Sequence, residues 1–341
     1  MRLRSQPHVI VIRRILMEKT FDVVALGELL IDFTQNNVSP AGNPVFEANP
    51  GGAPANVLAM LRQFSKKCAF IGKVGNDSFG DFLENVLNSK GIDISGLLRD
   101  QSVPTTLAFV HNKPDGDRNF SFYRNPGADI MLRKEDIPTE ILSNCHIFHF
   151  GSLSLTNEPS RTATYHAVSL SKDSGSIISY DPNLRPALWN DLSEAKEMIR
   201  WGLSVSDIVK ISDNEVEFVT GSSDPDIGAS LIMTSFPNIK LLLITAGTDG
   251  SYAYYQGITV HEPAYLLGGT VDTTGAGDIF CASVLSYILE HDISHLIEQD
   301  FKNMLSLANA AAYLITTRRG VINSVPDIRE IKQVISHEII D

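Results

Sequence analysis

The stretch Val271-Asp-Thr-Thr-Gly-Ala-Gly-Asp278, running on into the apolar Ile279–Leu289 (IFCASVLSYIL), carries the reading of this chain. A glycine turn opens there directly into an apolar helix. The first amides of a helix have no acceptor within it and carry the positive end of its dipole. Gly275 and Gly277 let backbone approach a ligand closely, so Gly275, Ala276 and Gly277 form a candidate anion hole for a phosphate or a developing oxyanion. Asp278 stands at that hole. A carboxylate there would repel a static phosphate, but it has a task if it accepts the proton of a hydroxyl attacking that phosphate. Taken alone, the segment reads equally as a helix start with an acidic residue in its first turn.

Outward from this turn, short β-rich runs alternate with helical stretches. Strands are expected at 21–26, 68–74, 147–151, 177–181, 208–211 and 241–245. Helices are expected at 54–64, 78–90, 160–173, 192–203, 276–289, 298–316 and 328–338. Near-continuous apolar strands alternating with helices predict an α/β fold with a mostly parallel, doubly wound sheet covered on both faces. Two stretches break the alternation, 30–48 and about 103–125. Both are polar and punctuated by Gly, Pro and Asn, and Lys113-Pro-Asp-Gly116 reads as a turn between strand runs. They predict a small antiparallel sheet standing off the main one as a lid.

The chain has 341 residues, with 28 basic and 40 acidic side chains and a formal net charge of −12. That balance argues against a nucleic-acid surface. No apolar run reaches the ~18–20 residues of a membrane span. The three cysteines are scattered without metal spacing, which points to a reducing, cytoplasmic setting. Residues 1–16 hold four arginines and no acid (MRLRSQPHVIVIRRIL). They lack the unbroken apolar core of a secretory signal and read as the product of an upstream start codon or as a dispensable extension before a domain that starts at Met17.

Other segments cluster around the same chemistry. Asn49-Pro-Gly-Gly-Ala-Pro-Ala-Asn56 opens a second helix; Gly51 and Gly52 suit backbone beside a ligand, and Asn56 can both donate to and accept from sugar hydroxyls. Asn214 and Glu217 share one helical face after a strand and could hold Mg²⁺ through water. Asp32 follows the first strand, where a carboxylate could accept two hydroxyl bonds. Arg124 closes the second insertion, Arg185 follows a strand, and Thr245-Ala-Gly247 ends another. The histidines do not converge on a metal site. No GxxxxGK[ST] occurs, and Gly27-Glu-Leu-Leu after the first strand is not the GxGxxG of a nicotinamide dehydrogenase.

Together, GGAPAN (51–56), FIGKVGNDSFG (70–80) and DTTGAGD (272–278) resemble the signatures of the ribokinase-like, PfkB-type sugar kinases. FYRNPGADIML (122–132), SYDPNLRPALW (179–189) and KISDNEVEFVTG (210–221) are similar to fructokinases within that family. The resemblance runs from about residue 21 to 326. It implies a three-layer ribokinase-like fold and ATP-dependent transfer to a primary hydroxyl, O6 of D-fructose. It implies Asp278 as base and residues 275–277 as anion hole. Sugar-binding positions would be Asp32, Gly51, Gly52, Asn56, Phe109, Arg124 and Arg185. Nucleotide contacts would come from Lys210, Asn214, Thr245, Gly247, Gly250 and Asn309. Asn214 and Glu217 would serve Mg²⁺. Asp272 and Thr274, with the loop 317–324, would serve K⁺. Separately from the resemblance, an exposed lid sheet invites pairing, so a homodimer through the lid is expected. A 2-keto-3-deoxygluconate kinase, an aminoimidazole riboside kinase, a ribokinase and a non-catalytic sugar-binding relative stay open as alternatives.

Overall fold

A computed structural model describes residues 19–112, 118–291 and 293–337. The extension 1–16 and the turn at 113–116 lie outside the described residues. Among the described residues there are thirteen strands: β1 Phe21–Leu26, β2 Leu30–Val38, β3 Pro44–Gly51, β4 Cys68–Gly75, β5 Asp93–Asp100, β6 Leu107–Asn112, β7 Arg118–Tyr123, β8 Cys145–Gly151, β9 Ile177–Asp181, β10 Ile208–Ser212, β11 Leu241–Thr245, β12 Ser251–Tyr255 and β13 Ile258–Glu262. The α-helices are α1 Ala53–Gln63, α2 Ser78–Ser89, α3 Thr139–Ser143, α4 Ser160–Asp173, α5 Leu192–Val205, α6 Asp213–Thr220, α7 Pro225–Ser235, α8 Ala276–Glu290, α9 Glu298–Thr316 and α10 Ile328–His337.

The main sheet has nine strands in the order β13-β12-β11-β10-β9-β8-β1-β4-β5. From β11 to β5 every pair is parallel, and β12 and β13 add an antiparallel edge. Successive residues of β1 feed opposite faces. Val23 and Ala25 pack with α1, α8 and α9, whereas Val24 and Leu26 pack with α4, α5, α6 and α7. That alternation, with both sides apolar, is why the strand reads as one continuous hydrophobic run. α8 is buried along most of its length, so it too is apolar nearly all round.

The order also positions the site. From β1 the chain builds β4 and β5 on one side, then crosses to build β8 through β11 on the other. Such a switch leaves a crevice beyond the carboxyl ends of the strands. Glu28 after β1, Asp181 at the end of β9, Asn214 after β10 and Thr245 at the end of β11 all fall there.

The two polar insertions meet in a separate four-stranded sheet, β3-β2-β6-β7. β2–β3 and β6–β7 are antiparallel, and β2 pairs with β6 in parallel, Phe33 opposite Phe109. The edge elements β5, β12 and β13 had no sequence expectation. β5 is mostly half-exposed and mixed in polarity, so it lacks the apolar run that marked the inner strands.

Candidate active site

Gly275 caps α8 in the left-handed region, φ 78°, which a side chain disfavours. A β-carbon there would also sit 2.6 Å from the Val321 side chain. Gly277 is needed for a different reason. A β-carbon on it would lie 2.6 Å from Nζ of Lys210, so the bare backbone lets a buried ammonium reach the first turn of the helix. Amides, dipole and ammonium therefore converge on one point.

Asp278 is buried in that same turn. Its Oδ2 accepts a hydrogen bond of 2.8 Å from Nδ2 of Asn56 on α1. Burial pushes its carboxyl up to about 6, with the Asp181 charge adding to the rise; the Asn56 bond, Lys210 and Arg185 pull against it. A carboxylate held near neutrality is ionised at pH 7 and still basic enough to take a proton.

A cavity of about 810 Å³ opens in front of Asp278, lined among others by Asp32, Gly52, Asn56, Arg185, Lys210 and Asn214. Gly51 stands behind it: a β-carbon there would fall 2.1 Å from Oδ2 of Asp32, so the glycine makes room for that carboxylate. Desolvation pushes Asp32 up to about 7, opposed by Arg185 and reinforced by Asp272 and Asp278. A second cavity of about 460 Å³ is lined by Thr245, Gly247, Gly250, Tyr265, Ala276 and Asn309 among others. Thr245, Thr273 and Gly277 line both. The two cavities thus adjoin at the anion hole, one polar and acidic, the other walled by Phe280, Ala312 and Tyr313.

Several expected residues stand elsewhere. Arg124 is buried behind the wall. Its Nε donates to Asp129 at 2.7 Å, and its terminal nitrogens donate to Thr156 Oγ1 at 2.8 Å and to the Leu153 carbonyl at 2.9 Å. With its guanidinium engaged on both edges, it fastens β7 to the loop after β8 rather than facing a ligand. Phe109 does not line the cavity; it stacks on Phe33 at 4.8 Å within the small sheet. Glu217 is exposed on α6 outside the cavity lining, while its neighbour Glu215 is buried and lines it. The Glu215 carboxylate accepts from the Leu184 and Ser212 amides at 2.6 and 2.8 Å. Asn309 lines the second cavity, but its amide is used within the protein: Oδ1 accepts from Ser251, and Nδ2 donates to the Glu262 and Pro263 carbonyls. Asp272 accepts from the Thr274 amide at 2.8 Å. The loop 317–324 lies against this turn through Val321.

Sequence reasoning missed Glu28 and Asp181. Glu28 is buried, lines the first cavity, and accepts the Ala53 amide at 2.8 Å, which caps α1 from a distant strand. Burial pushes it up to about 7. Asp181 pairs with Lys210 at 3.1 Å. Each follows or closes an inner strand, the position where this sheet collects functional groups.

A buried carboxylate beside the first amides of an apolar helix, between a polar cavity and an apolar one, is an arrangement suited to a phosphotransferase that acts on a hydroxyl acceptor. The chain belongs to the pfkB family carbohydrate kinases, whose model matches residues 20–328. Fructokinase-1 of Zea mays is 41% identical over 317 residues, covering 92% of this chain and 97% of that protein. A fructokinase from Xylella fastidiosa, solved with bound ATP, superposes with a TM-score of 0.84 at 29% identity, over 93% of this chain and 99% of that one. A double-mutant fructokinase from Vibrio cholerae O395, in a form with fructose, ADP and potassium ion bound, gives 0.82 at 28% identity over 93% and 99%.

Proposed function

We infer that this chain is an ATP-dependent fructokinase that phosphorylates D-fructose at O6. The observation that carries the reading is Asp278, buried and held by Asn56 where the two cavities adjoin. Fructose occupies the larger cavity, its hydroxyls bonded by Asp32 and Asn56. ATP occupies the other, with its phosphates at the amides of 275–277. Asp278 takes the O6 proton as that oxygen attacks the γ-phosphorus in line, the bond to ADP breaks, and the anion hole and Lys210 meet the charge that develops.

The charges of the cavity favour a neutral sugar over a sugar acid. Glu28, Asp32 and Asp278 line it, and Arg185 is the arginine that faces it, since Arg124 is engaged behind the wall. A carboxylate ligand such as ketodeoxygluconate would meet four acids, with Glu215 added, against Arg185 and a Lys210 ammonium already paired with Asp181.

Oxygen donors suit the ions of such a reaction. The Asn214 side chain is exposed at the cavity and fits Mg²⁺ held through water, while Glu217, one turn further along the same helix, would reach the ion only from outside the cavity lining. Bound there, Mg²⁺ would neutralise phosphate charge. Asp272, Thr274 and the carbonyls of loop 317–324 fit a potassium ion close to the anion hole. The four-stranded sheet serves as lid over the sugar and as a homodimer surface, because Tyr123 (66%) and Val38 (62%) leave apolar side chains exposed on it. A cytoplasmic setting agrees with three free, buried cysteines.

Two measurements test the reading. Asp278→Asn should fold and bind ATP while turnover drops by about 10²–10⁴-fold; near-normal turnover would refute the assignment of the base. A coupled assay across fructose, ribose, ketodeoxygluconate and aminoimidazole riboside should show the highest kcat/KM for fructose.

A further inference from the structure

The geometry points to Asp181 as a positioning residue that holds the Lys210 ammonium beneath the anion hole. Lys210 projects from β10 and Asp181 closes the adjacent β9. Their side chains are 7% and 4% exposed, and Nζ lies 3.1 Å from Oδ2. The same Nζ rests against Gly277, where a β-carbon would come within 2.6 Å of it. An ammonium so placed faces whatever negative charge reaches the first turn of α8.

Other carboxylates lie near Lys210, but each has a different task. Glu215 accepts two backbone amides, at Leu184 and Ser212, and so caps α6. Asp278 accepts the Asn56 amide. His149 is buried on the neighbouring β8 with Nδ1 3.0 Å from Ser179 Oγ; burial and the Lys210 charge press it down to about 3, so it stays neutral. Among the described residues, Asp181 is the acid in ion-pair contact with Lys210. Burial works against the ammonium form of Lys210; the charges of Asp181, Glu215 and Asp278 outweigh it and hold the proton in place.

Asp181 is itself fixed by its turn. Its Oδ1 accepts the Asn183 amide at 3.2 Å, and Asn183 takes a left-handed φ of 45°. The chain then delivers Arg185 to the sugar cavity. Asp181 touches neither cavity and acts through Lys210. Removing its charge would leave an ammonium buried without its partner, free to swing toward Glu215 or Asp278.

The inference rests on the kinase reading of the anion hole, and the test uses the full chain at pH 8, above the value of about 6 to which the Asp278 carboxyl is pushed in the parent. In Asp181→Asn, kcat should drop by about 10²-fold, the loss typical of one misplaced oxyanion donor, with KM for fructose within about twofold of the parent. A folded variant with kcat within about threefold of the parent, or with the loss carried by KM for fructose, overturns the proposal. If the single variant does not fold, Lys210→Met is compared with Lys210→Met/Asp181→Asn, in which no charge is left unpaired. The two should match in kcat within about twofold and lie about 10²-fold below the parent. A double variant near parental kcat, or one about tenfold below Lys210→Met, overturns it. Failure of this test leaves the Asp278→Asn result, and with it the kinase reading, standing.

Discussion

Asn56, on the second turn of α1, donates its side-chain amide to Asp278, in the first turn of α8, across 2.8 Å and 222 positions of sequence. This bond opposes the effect of burial on the Asp278 carboxyl. In Asn56→Ala the base therefore titrates at higher pH. The acid limb of the kcat/KM profile, which should fall as pH drops through about 6 in the parent, is expected to move upward. A pH series at constant ionic strength measures it. An unmoved limb would mean that the bond does not set the basicity of Asp278.

The stability of the unliganded protein should fall as pH rises from about 4 to about 7. Glu28, Asp32 and Asp278 are pushed up to about 7, 7 and 6, so the folded chain binds protons more tightly than the unfolded one in that window. Stability decreases with pH wherever the native state holds more protons. Thermal melts at pH 5.5 and 7.5 should rank the acidic sample higher, and Asp278→Asn should narrow the gap while raising stability at pH 7.5 by about 1–2 kcal/mol.

Gly277→Ala places a methyl where the Lys210 ammonium now rests. The helix itself gains from alanine. Melting temperature should thus change little while kcat drops by about tenfold or more, because the cation is displaced from the site of charge development. Steady-state kinetics beside a melt separate the two effects. A variant with full activity would show that Lys210 reaches the phosphoryl group from another direction.

A dimer formed through the four-stranded sheet should be sensitive to Tyr123, whose ring packs edge-on against Phe109 at 5.3 Å and is otherwise exposed. Tyr123→Glu should shift the protein to a monomer in light scattering coupled to size exclusion. A parent that is itself monomeric at tens of micromolar would remove the proposal.

The inner strands and the helices around them were legible because each carries its own pattern. Leu241–Thr245 is a continuous apolar run, Ser160–Asp173 and Glu298–Thr316 are helices with the expected limits, and Gly275-Ala-Gly277 before an apolar helix marks its own turn. Edge strands such as β5 escaped, since a strand exposed on one side needs no apolar run. The roles of the arginines escaped for another reason. Arg124 and Arg185 look alike in sequence, each following a strand, and only their neighbours distinguish them: Asp129 and Thr156 engage the first, while the second faces the cavity.

What the sequence determined by itself is therefore the set of local elements and the chemistry of the Asp278 turn, because hydrophobic period, glycine geometry and helix dipole act over a few residues. What the tertiary structure decided is which distant groups meet that turn. Strand order brings Asp181 and Lys210 beneath Gly277, and packing of α1 against α8 brings Asn56 to Asp278. Those encounters depend on how layers stack, and they set the charge state of the base and of the cation, which no single segment encodes.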